Sequence, residues 1–551
     1  MESLGPLAPL VLAEYRRDFL LEVEQGHRHQ VLLPQVLICS LVLPIIWIAI
    51  PHHDRPWFHR LRWVVFLFTL FVNCEQAKRI SSTNVAWAVL PGLMGMYGTL
   101  LCFHHLIVTN PQRDAARIVR VAAGSDRGIP HANSDEADMP THASGTPAAA
   151  RCGPASPELP GRVEGKAASP TTQRLSKIRS HDGKYYYIWQ RFPAKAPLLD
   201  RLGWAADLVL SLRGAGWNHS ISVLPRPYTP KLVKDGDFVD EASVPSASKC
   251  GFEYKHSPST FFWHRLKLFT FTYLLLDFLG TFMTKDPYFV VGREKLVQYT
   301  LPAYLASLPP WRIEAYRQLF SIGGAWAAVA AGYSLADMVS YGVAAYFYPS
   351  RNIPWIYVSA YGSFGEVFDR GLAGFWGTWW HQTFRMCFMS PATFLFDTGV
   401  IQKRTTIGNL VALVSSFAAS GLLHGMGSLS SMPKTKLWSQ PTFFLLQAVG
   451  VIVQQQLGSM AQKLFPKTGV ILQRTANASF TLVWLYATAG FFNDDMAAMG
   501  IWTLEPVPFS FFRLMGFGFP GDPAWRWDSI HFLFRWHSGS HWWSSGLTIG
   551  E

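Results

Sequence analysis

Four polar residues recur at every fourth position of an uncharged stretch, TTIGNLVALVSSFAASGLLHGMGSLS at 405–430: Ser416, Ser420, His424 and Ser428. On a helix that spacing makes one slowly drifting polar stripe. A histidine deep in a hydrophobic span is costly unless it has a partner or a water-filled cavity, so it marks a functional site by default. An imidazole also titrates near neutral pH, which suits proton transfer. Gly421 and Gly425 flank it and allow another backbone to approach closely, leaving room for a ligand. A structural reading of the same residue is a neutral imidazole that joins two helices.

The second candidate is FWGTWWHQTFR at 375–385. At about 100° per residue, Gly374, Thr378, His381 and Arg385 fall on one arc with Gln382 at its edge. Phe375, Trp376, Trp379, Trp380 and Phe384 fill the other side. This pattern predicts a strongly amphipathic helix lying against the bilayer or a membrane-embedded cavity. It also fits an interfacial anchor, with the rings at headgroup level and Arg385 reaching water.

Residues of these types need membrane helices to position them, and the composition supplies such helices. The 551 residues are 49% hydrophobic, 15% aromatic and only 15% charged, against about 25% charged in soluble domains. The mean hydropathy is +0.13. Apolar segments are expected near 31–51, 62–77, 84–108, 261–284, 315–347, 405–430, 437–460 and 477–497, with a weak one near 507–519. The fold class is therefore an all-α polytopic membrane protein of roughly eight to ten transmembrane helices. The opening MESLGPLAPLVLAEYRRDF lacks the basic region and small-residue exit of a secretory signal.

The expected organisation is N-terminal transmembrane helices over 1–108, a disordered polar insert over 109–183, and an interfacial amphipathic segment over 184–260. A membrane-embedded core over 261–520 and a tail over 521–551 follow. The insert is rich in Ala, Ser, Pro, Gly and Arg and lacks the apolar area to offset ordering entropy. The six cysteines are scattered, which excludes a metal framework or a disulfide scaffold. A net charge of +12 fits basic loops near anionic headgroups better than nucleic acid. Asn493–Asp495 and Gln454–Gln456 read as helix ends at the interface. Asp277, mid-span, reads as capping or orienting a neighbour. Asn218 and Asn477 fit the glycosylation sequon by chance.

Several ordered pieces resemble the membrane-bound O-acyltransferase superfamily in its fungal wax synthase-like branch. They are RGAGWN at 213–218, YLLLDFLGTF and DPYF within 273–289, FWGTWWHQTFR, SGLLHG at 420–425 and PFSFFRLMGFG at 508–518. The tryptophan-rich segment followed within one hairpin by a buried LLH is the specific part. The usual LLHE-type ending departs here, with Gly425 after the histidine.

The resemblance implies helices enclosing an intramembrane reaction chamber, with His424 at the family's essential histidine and His381 at its second polar position. His424 would be the general base for a hydroxyl attacking an acyl-CoA thioester, and His381 would orient the carbonyl or stabilise the oxyanion. Trp380, Gln382, Arg385 and Ser420 complete the substrate-contacting set. Arg385 meets either a CoA phosphate or the headgroup region. No bound cofactor and no metal are expected. Acyl-CoA, in the first place acetyl-CoA, is the co-substrate, and a lipophilic terpenoid or meroterpenoid hydroxyl in the endoplasmic reticulum membrane is the acceptor. A wax or steryl ester synthase is the alternative. A transporter is the alternative of another class, weakened by the absence of paired halves.

Overall fold

The computed structural model describes residues 6–122, 185–527 and 534–549. Five helices among the described residues are long and apolar enough to cross a membrane: Val85–Val108, Pro258–Met283, Pro310–Phe347, Thr406–Ser430 and Ser439–Leu464. In lipid a spanning backbone must satisfy its own polar groups, and a helix does so. Side chains cap the starts of three of them. Asn84 Oδ1 accepts from the amides of Ala86 and Trp87, Ser257 from Thr260, and Thr405 from Gly408.

The expected count of eight to ten spans is not reached, for local reasons. The 31–51 segment yields only the shorter Gln35–Ala49 run, interrupted by a π-helical turn at Ile38–Val42. Arg62–Arg79 has length but carries charge at both ends, where Glu75 pairs with Lys78 and Arg79. The 477–497 stretch divides into Val470–Thr488 and Gly490–Ala498. Within 507–519 only Phe511–Leu514 is α-helical, and that turn is tied sideways. The Tyr273 hydroxyl donates to the Phe509 carbonyl at 2.7 Å, and Asp277 accepts from the Phe512 amide at 3.2 Å. Asp277 thus does cap a neighbouring segment.

Part of the expected insert is ordered. Pro111–Asp114 forms a helical turn and Ala116–Ala122 a strand, paired antiparallel with Tyr185–Arg191 from Ala116 opposite Arg191 to Ala122 opposite Tyr185. Ile118 and Trp189 face each other in this register and are fully buried with Tyr187, Val239 and Ile353. That apolar face is what overrides the polar composition around it. Residues 123–183 lie outside the described residues. The Leu198–Leu210 helix is amphipathic as expected, burying Trp204, Ala205, Leu208 and Val209 against Trp47 and Ile48.

Two close contacts fix the centre of the bundle. The Val85–Cys102 helix packs on Thr406–Ser430, and a Cβ at Gly92 would lie 1.7 Å from the Met426 carbonyl oxygen. Only glycine permits that approach. At one end the chain closes on itself. Leu33 and Leu547 exchange both backbone hydrogen bonds, at 2.8 and 3.1 Å. Gln35 donates to the Ser545 carbonyl and Gln30 to the Thr548 hydroxyl, each at 2.6 Å.

Candidate active site

The Thr406–Ser430 helix carries the expected polar stripe, and its four members meet different surroundings. Ser416 donates to the Ala412 carbonyl and lies 3.1 Å from the Met389 sulfur. Ser428 donates to Asp495 Oδ2 at 2.7 Å. Between these tied ends, Ser420 and His424 are half-buried. Among the described residues neither side chain makes a hydrogen bond, and neither is among the orphaned buried polar atoms. Their polar atoms therefore open onto accessible space inside an aromatic wall. Phe444 stacks on the His424 ring at 5.0 Å and 14°, and Phe492 meets it edge-on at 5.3 Å.

The glycines beside His424 do not leave room for a ligand. Cβ atoms at Gly421 and Gly425 would lie 2.8 and 2.9 Å from Pro441 atoms. They admit the start of the Ser439–Leu464 helix. Asp495, expected at an interface, is buried. It accepts from Ser428, from Gln440 at 2.8 Å and from the Lys436 amide at 3.1 Å, which joins three segments below His424.

The tryptophan-rich segment is not one amphipathic helix. Phe375–Trp379 is a π-helical turn, Trp380 is extended, and an α-helix resumes only over Arg385–Phe388. Side chains turn back to satisfy the freed carbonyls. Gln382 donates to those of Trp376 and Trp380 at 2.8 and 2.7 Å. Arg385 donates to the Gly377 carbonyl at 2.7 Å and to Gln382 Oε1 at 3.0 Å. A π-helical turn at a functional position is a recurrent device, and here the break swings His381 off the helical arc.

His381 Nδ1 lies 2.9 Å from the Thr383 hydroxyl, which is 2.6 Å from that of Tyr333 on the Pro310–Phe347 helix. The Arg213 guanidinium lies 5.0 Å over the Tyr333 ring and donates to the carbonyls of Val358 and Ser359. A row of rings connects the two histidines. Trp380 lies 5.4 Å from His381 and 6.0 Å from Trp376, and Trp376 lies 5.9 Å from the Phe444 that stacks on His424.

The arrangement thus brings His424, His381, Trp380 and Ser420 around one region. Gln382 and Arg385 fold back on the segment itself, Gln382 onto its backbone carbonyls and Arg385 onto the Gly377 carbonyl and the Gln382 side chain. Arg213, Tyr333 and Thr383 join the site without having been singled out. Arg213 and Thr383 lay within recognised motifs, and Tyr333 gave no local signal. No group of histidines, cysteines or carboxylates among the described residues could hold a metal ion. The sequon asparagines are committed to packing: Asn218 bonds the Ala116 amide and Asp114 carbonyl, and Asn477 the carbonyls of Phe368 and Asp369.

Residues 357–446, which hold both histidines, match the family described as "Membrane bound O-acyl transferase family". The chain is also similar to acetyltransferase eriL of Hericium erinaceus, at 23% identity over 57% of this chain and 72% of the relative. Acetyltransferase ple2 of Rhodocybe pseudopiperita is 25% identical over 49% of this chain and 59% of that relative's length. No solved structure matches.

Proposed function

We propose that this chain is an acyltransferase of the membrane-bound O-acyl type, a reading its similarity to that family and to two acetyltransferases supports, with His424 and His381 as its catalytic pair. On this reading an acetyl group passes from acetyl-CoA to a hydroxyl of a lipophilic secondary metabolite such as a terpenoid or meroterpenoid. The observation that carries it is the His424 ring, walled by Phe444 and Phe492, with no hydrogen bond of its own among the described residues. A general base needs a nitrogen left free for the proton it takes. The two similar acetyltransferases support a small acyl group.

The steps follow from the chemistry. His424 removes the proton of the acceptor hydroxyl as its oxygen attacks the thioester carbonyl. The carbonyl electron pair moves onto oxygen, where a neutral His381 donates a hydrogen bond to the developing charge. Collapse breaks the C–S bond, and the leaving CoA thiolate takes the proton back from the His424 imidazolium. His381 suits the donor role because Thr383 holds its Nδ1 and leaves Nε2 directed away from that contact. Trp380 and Ser420 line the same region and would contact substrate. Ser420 has no orienting partner among the described residues, which favours direct transfer over an acyl-serine intermediate.

Microsomes bearing the chain, incubated with labelled acetyl-CoA and a fungal lipid extract, should transfer label to an apolar hydroxyl compound. The His424→Ala protein should not. Label retained only on long-chain alcohols or sterols would replace the metabolite acceptor, and label transfer by the alanine variant would remove His424 from the mechanism. Residence in the endoplasmic reticulum is part of the same proposal, checked by fractionation.

A further inference from the structure

A cavity among the described residues lies away from both histidines. It holds about 580 Å³ and is walled by the Leu7–Glu24 helix, by Thr83 to Val85, and by the segment from Thr503 to Arg526. No residue of the Phe375–Arg385 segment or of the Thr406–Ser430 helix lines it. Its level relative to the bilayer follows from two span ends. Val85 opens the Val85–Val108 span, and Thr284 directly follows the Pro258–Met283 span. Both line the cavity, so it lies where hydrocarbon gives way to headgroups.

Its charge is unbalanced. Arg513 pairs with Glu505 at 2.9 Å and lies 3.5 Å from Asp522, and Arg526 shares the same two carboxylates. Arg16, the third lining guanidinium, makes no ion pair or hydrogen bond among the described residues. The lining also carries two polar groups that are buried without a hydrogen bond, Thr83 Oγ1 and the Nε of Arg526, whereas the Nε of Arg513 faces Asp522. Among the described residues three cations face two anions, with the Arg526 Nε and Thr83 hydroxyl unused, beside the apolar side chains of Leu12, Val85, Leu504 and Phe519.

We propose that this cavity binds an anionic phospholipid of the surrounding bilayer. Arg16 and the unused donors would meet the phosphate, and the Leu12–Phe519 side would meet the proximal acyl chain. A phosphate-bearing amphiphile matches both halves of the lining and stands at the right depth. This site is separate from the catalytic pair, and its occupation does not depend on the acceptor assigned there. It also gives a task to PFSFFRLMGFG, whose Arg513 forms part of the wall.

The test uses the full chain, purified in mild detergent for native mass spectrometry and reconstituted in nanodiscs of phosphatidylcholine with or without phosphatidylserine. Wild-type protein should retain anionic phospholipid. Arg16→Glu should retain about tenfold less, the loss of one charge-assisted contact. Ala13→Trp, which fills the cavity from the same helix without changing charge, should also lower retention. Equal retention by wild type and both variants overturns the proposal, as does failure of the wild type to retain anionic lipid. A rise in the acetyl-CoA KM of Arg16→Glu with lipid retention unchanged would assign the cavity to the donor's phosphates and likewise overturn it.

Discussion

The Tyr333 hydroxyl lies 2.6 Å from the Thr383 hydroxyl, and through it a residue on a membrane helix fixes the ring of His381. The contact is made across 50 residues of chain. If His381 acts on charge that develops only in the transition state, loosening this chain affects turnover and leaves donor binding alone. Tyr333→Phe should lower kcat about fivefold to tenfold, in line with one net hydrogen bond of about 1 kcal/mol, with the acetyl-CoA KM unchanged. Thr383→Ala should cost more, and Thr383→Ser should recover most of it. Steady-state kinetics on purified protein decide the matter, and parallel rises in KM would reassign the chain to donor binding.

His424→Ala should reduce acetyl transfer by about 10²-fold or more while the protein still reaches the membrane. The ring stacks on Phe444 and Phe492 and bonds nothing else among the described residues, so truncation strands no polar partner. Size-exclusion profiles in detergent check folding, and single-turnover rates check chemistry. Activity above about a tenth of wild type, at or beyond the weak end of that range, would exclude the general-base role.

Arg385 bears on folding before it bears on substrate. Its guanidinium donates to the Gly377 carbonyl and to Gln382, across the break in the segment. Arg385→Ala should cost about 1.5–3 kcal/mol, the range for a hydrogen bond from a charged group, seen as a lower melting temperature and yield. Arg385→Lys should recover part of it, since an ammonium can reach one of the two acceptors but lacks the planar fork. A wild-type melting temperature with a raised acetyl-CoA KM would instead place Arg385 on the CoA phosphates.

The strand pair defines which part of the polar insert can be removed. Ala122 pairs with Tyr185 at the open end of the ladder, so a two-residue turn such as Asn-Gly can join them. Replacing 123–184 by that turn should preserve acetyl transfer. Deleting 112–180, which removes the strand carrying buried Ile118, should abolish folded protein. Equal loss in both would show that 123–184 contributes to the active enzyme.

Local periodicity made the polar stripe legible. Ser416, Ser420, His424 and Ser428 share a face because a helix repeats regardless of its neighbours, and Gly421 and Gly425 announced a close contact in the same way. Misreadings arose wherever the outcome depended on a distant partner. The helical wheel over 375–385 failed at Trp380, because Gln382 and Arg385 satisfy the backbone better by folding back than by continuing the helix. Asp495 read as an interfacial end. It is buried because Ser428, Gln440 and the Lys436 amide supply donors from elsewhere. Tyr333 and Thr383 are ordinary residues in the sequence, and only their meeting makes them part of a site.

The exchange of hydrogen bonds between Leu33 and Leu547 sets a parity condition on the whole path. A chain that returns to the face it left has crossed the bilayer an even number of times. All five long apolar helices lie between those two residues, and five is odd. If each of them crosses, an odd number of further segments must cross as well, although among the described residues none has the length and apolarity of a conventional span. Arg62–Arg79 and Val470–Thr488 are the longest remaining helices between the two bridged residues. At 1.5 Å per residue they reach about 27 and 28 Å, just under the hydrocarbon thickness of about 30 Å. If no other segment crosses, one of the two, and not both, satisfies the count.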